Sequence, residues 1–289
     1  MWDGHDYLPQ VLEEWLADEE GLFCVATVRG LVVGTGKLTR LDVDQWWLEG
    51  LRVSPAYRGR GIARVLHHYL VNQARRRGPG TLRFSTGSGN EAVYKLARET
   101  AFRQVAAFAP YGALAEDHPT AGLVPLSLAD ADRAWVFLQA APHFEATHRT
   151  LEERWRFLPL TQERLTGRLA AGLVYGWLGT GGEASETLAG LAVLGAPRSA
   201  TSGEDEETRL YVGYMDALPG EWVPLARALR GLAAAQGHPR VSVKALWAED
   251  VLSALEAAGY GRRLDVDVLL FERGLSLTAQ ASAHSDDDG

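Results

Sequence analysis

Only one cysteine, Cys24, occurs in 289 residues, which excludes an internal disulfide framework and any cysteine-rich metal site. It stands in "LFCVATV", where a small core residue of a strand is the expected role. No apolar run approaches the roughly 20 residues that a membrane-spanning helix needs. The opening "MWDGHDYLPQ" lacks the basic and apolar regions of a signal peptide. The expectation is a cytoplasmic protein with no membrane partner. Positive charge is also in short supply, with 29 Lys and Arg against 37 Asp and Glu. Seven of the 37 acids crowd into "GEDEE" (203–207) and "DDD" (286–288), outside any hydrophobic pattern. The folded body is therefore near neutral and offers no electrostatic footprint for nucleic acid.

What the chain does have is length for two ordinary domains and a 46% hydrophobic composition with nine tryptophans. The first half alternates between helical and strand periods. "LPQVLEEWLADEE" reads as a helix with Leu8, Val11, Leu12, Trp15 and Leu16 on one stripe. "GLFCVATV" and "LVVGTGKLTRL" read as strands joined at Arg29-Gly30, and "QWWLEGLRV" as a third. A helix follows with Ile62, Val65, Leu66, Tyr69 and Leu70 at three- and four-residue spacing, stopped by "RRRGPG" (75–80). Strand "TLRFST", helix "NEAVYKLARET" and strand "RQVAAFAPYG" complete this half.

Residues 112–122, "GALAEDHPTAG", read as a linker. Beyond it a similar order recurs. Strand "LVPLS", helix "ADADRAWVFLQA", a helical stretch from about 150 to 170 and strand "GLVYGWL" come first. Then follow strand "TLAGLAVLG", strand "RLYVGYMDAL", helix "WVPLARALRGLAAAQ", strand "RVSVKAL", helix "AEDVLSALEAAGY" and strand "DVDVLLFER". The domains expected are 1–113 and 121–275, with 276–289 a frayed tail.

The most informative stretch is "VSPAYRGRGIARVL" (53–66), which sets Gly59 and Gly61 with Arg58, Arg60 and Arg64 at the mouth of an amphipathic helix. A helix N-terminus exposes amides without intrahelical partners and carries partial positive charge. Bare backbone there lets a pyrophosphate approach the amides, and arginine supplies donors matched to phosphate oxygens. The alternative is a capping loop with solvated arginines.

The fuller string V-x-P-x-Y-R-G-x-G-I-A-x-x-L, following a hydrophobic strand, resembles the acyl-CoA motif of the GCN5-related N-acetyltransferases. Arg58, Gly61 and Ala63 match the family's Arg/Gln-x-x-Gly-x-Gly/Ala. The resemblance covers about residues 8–110. It implies an α/β (α+β) fold with mixed, mostly antiparallel sheets flanked by helices and a splayed central strand pair. It also implies acetyl-CoA as co-substrate, with pyrophosphate at Arg58, Gly59, Arg60, Gly61, Ile62, Ala63 and Arg64. The pantetheine arm then runs along Leu51, Arg52 and Val53. Transfer of acetyl to a primary amine of a small molecule or peptide is direct in this family, and needs no metal.

Such chemistry requires a proton acceptor for the amine. Glu49 is the candidate, because "EGLRV" resembles the E-G-(L/I/W)-x-V strand of aminoglycoside 6′-acetyltransferases, in which this glutamate faces the amine. Alternation places Trp47, Glu49 and Leu51 on one face, and the competing role is a solvent-facing strand carboxylate. In the family's N-x-x-A-x-x-L-Y-x-x-x-G-F helix a tyrosine protonates the leaving thiolate. Aligning "AF" (101–102) with Gly-Phe puts Asn90 on the asparagine but Ala97 on the tyrosine, so either Tyr94 or water is the donor. Asn90 is a candidate for the pantetheine arm and equally for a helix cap. His67 and His68 read as surface residues, Trp46 and Trp47 as core or acceptor-pocket wall, and Asp6 or Tyr7 as weak acceptor-site candidates.

The second half resembles a degenerate copy of the same domain. Its closing "EAAGYGRRLDVDVLLFER" fits the family, but its loop, "DALPGEWVPLARAL", sets Trp222, Val223 and Leu225 where glycine and alanine stand above. No CoA is expected there. A non-catalytic CoA-binding or interaction protein is the rival reading, and monomer and homodimer both remain open. The family's first strand has no counterpart before Leu8.

Overall fold

The computed structural model describes residues 8–153, 155–179, 187–195 and 209–276. Asp6, Tyr7, the expected gap before Leu8, both acidic runs and nearly all of the tail lie outside them.

Helix α1 spans Leu8–Ala17. Of its expected apolar stripe, Trp15 is buried and Leu8, Val11 and Leu12 are half-buried, but Leu16 is 66% exposed. Strands β1 (Leu22–Val28) and β2 (Leu31–Asp42) form a hairpin. Its turn residues Arg29 and Gly30 are both left-handed, at φ 51° and 81°, as a tight turn matched to strand twist requires. Strand β3 is Gln45–Val53 and helix α2 is Ile62–Arg76. The α2 stripe is rotated from the expected one. Leu66, His67, Leu70, Val71 and Ala74 are buried, whereas Val65 and Tyr69 are exposed. His67 thus belongs to the core at 4% exposure, which corrects its reading as a surface residue. Its ring nitrogen Nε2 lies 2.8 Å from Thr100 Oγ1, so the polar edge is satisfied inside. Strand β4 (Gly80–Gly87), helix α3 (Glu91–Glu99) and strand β5 (Arg103–Leu114) follow as expected.

In the second half, β6 is Leu123–Pro125 and α4 is Ala131–Ala140. The stretch expected to be helical from about 150 begins instead as a hairpin, β7 (Thr150–Glu153) and β8 (Arg156–Pro159). Only α5 (Gln162–Ala170) is helical there. Pro159 ends any helix before it, and Leu151 and Phe157 are buried from opposite strands of the hairpin. The remaining elements are β9 (Val174–Trp177), β10 (Gly190–Leu194), β11 (Arg209–Ala217), α6 (Trp222–Ala235), β12 (Arg240–Leu246), α7 (Glu249–Ala257), β13 (Gly261–Arg262) and β14 (Val268–Leu275).

The chain divides into two compact units. One comprises Met1–Arg83, Arg98–Phe102 and Glu272–Gly289; the other comprises Phe84–Ala97 and Arg103–Phe271. In the first, β1, β2 and β3 are antiparallel and β4 joins β3 in parallel. Arg83 of β4 meets Glu272 of β14 through two bonds of 2.9 and 2.7 Å. Leu66 and Leu70 of α2 press on β2 where Gly34 and Gly36 give them room. In the second, the order from β5 is β5-β12-β11-β10-β9-β6, antiparallel except for β11 with β12. Strand β10 is buried throughout: Ala192 and Leu194 pack in one core with α6 and α7, and Leu191 and Val193 in another with α4 and α5. Helices on both faces explain such an uninterrupted apolar strand. The architecture is the mixed, mostly antiparallel sheet flanked by helices that the sequence implies.

Candidate functional site

The site in the first unit is built on an irregularity in β3. Lys37 faces Glu49 and Thr35 faces Arg52, so Gly50 and Leu51 together oppose Gly36. This is a β-bulge, with Gly50 at φ 66°. A Cβ on Gly50 would lie 2.5 Å from the Trp15 ring, so the residue must be glycine for both backbone and packing reasons. Thr35 Oγ1 donates to Gly50 O at 3.0 Å and ties the bulge down. The bulge overturns the simple alternation. Glu49 keeps the face of Trp47, but Leu51 turns toward the opposite face, beside Gly36 and Leu70.

Strand β3 pairs with β4 only ahead of the bulge. Their parallel register runs from Gln45↔Thr81 to Trp47↔Arg83, whereas β3 continues to Val53. Past Trp47, the last β3 residue paired with β4, a strand edge can present backbone groups to a ligand, and Leu51, Arg52 and Val53 lie on that stretch. Glu49 is half-buried and accepts a 2.5 Å hydrogen bond from Thr39 Oγ1. Directly across from it stands Lys37, whose ammonium is buried against Asp18. The Asp18 pKa is lowered: burial pushes it up, but the bonds from Lys37 and from the Gly21 amide outweigh that. Thr39, Lys37 and Asp18 were not singled out from the sequence. The available signal was a lone lysine inside the apolar run of β2. Trp46 and Trp47 are both buried, the core role.

After β3, Pro55–Tyr57 form a single 3₁₀ turn. Gly59 and Gly61 are both left-handed, at φ 73° and 79°, and nothing in the protein lies within 4 Å of a Cβ built on either. Internal packing therefore does not account for these glycines; backbone shape and open space in front of it do. The first helical bond of α2 runs from the Val65 amide to Gly61 O, at 3.0 Å, so the amides of Ile62, Ala63 and Arg64 point out of the helix end. Three arginines surround them, in different states. Arg58 Nε donates to Val53 O at 3.3 Å, and Arg60 lies 5.1 Å over the Tyr57 ring. Arg64 is held by Glu99 at 2.9 Å, directed along the helix rather than to its mouth. The cradle, its amides and two nearby guanidinium groups fit a pyrophosphate.

Asn90 and Tyr94 belong to the second unit. Asn90 Oδ1 accepts from the Val93 amide at 3.4 Å, and its Nδ2 donates to Thr86 Oγ1 at 3.1 Å, which is the capping role. Tyr94 OH donates to Gly87 O at 3.2 Å, and its ring lies 5.7 Å from that of Phe271. Burial, reinforced by the charge of Asp267, raises the Tyr94 pKa and keeps the phenol protonated. Ala97, at the family tyrosine position, is fully buried. The turn after α3 passes through Ala101 at φ 56°, the left-handed conformation that glycine adopts most readily.

The loop of the second unit differs. Trp222 and Leu225 turn into its core, so Leu225 does not obstruct a ligand as the sequence suggested. The space beside β11 is taken by other residues. Strands β11 and β12 also separate, after Val212↔Val243, but Thr150, Glu152 and Phe157 of the β7–β8 hairpin fill the gap. They leave about 20 Å³, room for about one water. The filling is anchored by Lys244 Nζ, which donates to Glu152 Oε1 at 2.7 Å and to Tyr211 OH at 2.9 Å.

Among the described residues, no helix is long and apolar enough to cross a membrane. The profile of the acetyltransferase (GNAT) family matches residues 2–102. A histidine N-acetyltransferase of Xenopus tropicalis is 34% identical over 80 residues, 27% of this chain and 25% of that protein. One from Oreochromis niloticus is 34% identical over 80 residues, 27% of this chain and 24% of that protein. The chain thus matches only about a quarter of the length of these curated relatives. A GCN5-related N-acetyltransferase structure from Sphaerobacter thermophilus superposes with a TM-score of 0.61 at 14% identity, covering 93% of this chain and 85% of that one. A fold shared along nearly the whole chain with that structure, a bulged β3 and a glycine-lined entry to α2 agree with the profile match: residues 2–102, about a third of the chain, are similar to the acetyltransferase (GNAT) family.

Proposed function

We propose that the protein is an acetyl-CoA-dependent N-acetyltransferase acting on a primary amine of a small molecule or peptide. The observation that carries this reading is the loop from Arg58 to Arg64, whose two glycines are left-handed and face open space. Acetyl-CoA supplies the activated acetyl group. Arg58, Arg60 and the amides of Ile62 and Ala63 hold its pyrophosphate, with Arg64 at the edge of that site and occupied by Glu99. Leu51, Arg52 and Val53 offer the β3 edge to the pantetheine arm. Asn90 is better explained as a helix cap.

Glu49 takes the proton that the amine must lose to attack, and Thr39 holds one of its oxygens in place. As the nitrogen–carbon bond forms and the carbon–sulfur bond breaks, the thiolate takes up a proton from water or from Tyr94. The Tyr94 hydroxyl already serves Gly87 O, so water is the preferred donor. Relatives named for acetylating histidine fit an amine acceptor. Residues 1–113 and 121–275 are proposed as two modules descended from one kind of domain, and only the first binds CoA. The filled gap beside β11 supports the second half of that statement.

The test is calorimetric titration with acetyl-CoA, followed by turnover with a panel of amines. One site per chain is expected. Glu49→Gln should lower turnover about 10²-fold with acetyl-CoA affinity unchanged. Two equal sites, or full turnover by Glu49→Gln, would overturn these assignments. Binding without turnover of any amine would favour a non-catalytic CoA-binding protein.

A further inference from the structure

The second unit holds a cavity of about 280 Å³ between the turn after β11 and helix α7, at the lower end of the range for small-molecule pockets. Its walls are apolar at Pro142, Pro219, Trp222 and Val223, and its polar groups are His143 and Asp250. Behind it lies Asp216, fully buried on β11. Asp216 accepts from the His143 amide at 2.8 Å, from the Ala217 amide at 2.9 Å and from Tyr214 OH at 3.2 Å. Its Oδ1 also lies 3.0 Å from His143 Nδ1. The imidazole is thereby fixed in orientation, and its Nε2 lies 3.0 Å from Asp250 Oδ2. Trp222 meets the ring nearly at right angles, with centroids 5.6 Å apart.

We propose that this cavity is a second small-molecule site, selective for an organic cation such as an amidinium or alkylammonium ion with a compact apolar body. Two carboxylates flank a single imidazole, and no lysine or arginine lines the cavity. Both ring nitrogens are engaged by carboxylates, which leaves the imidazole no donor for an anion. Asp250 is largely exposed at the rim, and the apolar walls give the body of a ligand a surface to pack on while its charged end reaches that carboxylate. A cation gains a charge-assisted bond there. The proposal stands on the second unit alone and does not depend on the role of Glu49.

The probe is benzamidine, with benzamide as its neutral near-isostere, each titrated calorimetrically into the full-length protein. Benzamidine should bind saturably at one site, and benzamide at least about tenfold more weakly, the worth of a hydrogen bond to a charged group. Asp250→Asn should cost benzamidine a similar factor. Val223→Phe, which fills the cavity without touching the His143–Asp216 pair, should abolish binding. Acetyl-CoA affinity, measured on the same samples, should be unchanged in both variants. Benzamide binding as well as benzamidine, no saturable benzamidine binding, or wild-type affinity in Val223→Phe would each overturn the proposal. Should Asp250→Asn fail to fold, the Val223→Phe and benzamide arms decide it.

Discussion

Gly50 is a position where one atom separates a working strand from a broken one. The residue is left-handed at φ 66°, and the Trp15 ring occupies the place of its side chain. Gly50→Ala must therefore pay twice, in backbone strain and in displacement of a fully buried indole, and should lose about 2–4 kcal/mol of stability. Urea unfolding measures this; a loss below about 1 kcal/mol would mean that the bulge and Trp15 relax independently. Ala101 is the converse case. It holds φ 56° with a side chain that disfavours it, so Ala101→Gly should stabilise by about 0.5–1 kcal/mol in the same measurement, and a destabilised variant would refute the strain. The tight turn into α2 was legible because Gly59 and Gly61, both left-handed in the structure, mark it in the sequence. Thr39 and Lys37 were not, because their meaning depends on the strand opposite, and register is a tertiary fact. The two histidines show the same limit: adjacency correctly sent their rings in different directions, but only the packing of α2 revealed that one of those directions is the core.

Elements were read most securely where a single period ran uninterrupted. β2, β3, α6 and β12 came out nearly to the residue, and α2 came out in extent but rotated, because its buried stripe includes a histidine that a hydrophobic pattern skips. The β7–β8 hairpin was lost for a different reason. Its strands are four residues each, too short for alternation to be distinguished from a helical pattern. At this scale the loop before α2 makes the sharpest prediction. Gly61→Val places a β-branched side chain on left-handed backbone, with no protein atom within 4 Å of the new Cβ. The fold should survive with a penalty of about 1–3 kcal/mol, while the branched side chain stands over the amides of α2. Acetyl-CoA affinity should fall at least about 100-fold, since bidentate and amide contacts to phosphate are lost together. Calorimetry on a variant shown folded by circular dichroism is the measurement, and unchanged affinity would remove the pyrophosphate from this loop.

For the molecule as a whole, burial of His67 links stability to pH. Burial first, and then the positive charge of His68 and Arg273, lower its pKa from 6.5 to about 4, with Glu99 opposing. The unfolded chain therefore takes up this proton near pH 6.5 and the folded chain only near pH 4. The contribution is complete above pH 6.5, falls as the pH drops, and is gone below about 4. His67→Gln, neutral throughout, should flatten the stability profile in that window, as read by urea unfolding at a series of pH values. A profile as steep as that of the parent would place the acid sensitivity elsewhere.

The division into units yields the strongest test of how the chain is organised. A boundary near residue 113 is the natural reading of the sequence, because composition changes there. Yet β5 belongs to the second unit, and residues from Glu272 onward belong to the first. A fragment of residues 1–115 would therefore lose Glu272, leaving the mostly buried Arg83 guanidinium without that carboxylate, and Arg273, which bonds Thr100 O. It would also carry β5 without β12, its antiparallel partner from Phe108↔Leu246 to Leu114↔Arg240. An unpaired strand displaying Phe108 and Tyr111, both buried in the intact chain, is a template for aggregation. The fragment should be insoluble or lack acetyl-CoA binding, because the strand that finishes its fold lies at the far end of the sequence. Size-exclusion chromatography and calorimetry decide the matter: a monodisperse fragment with full affinity would show that the first unit needs neither Glu272 nor Arg273, and that the second module serves some purpose other than completing it.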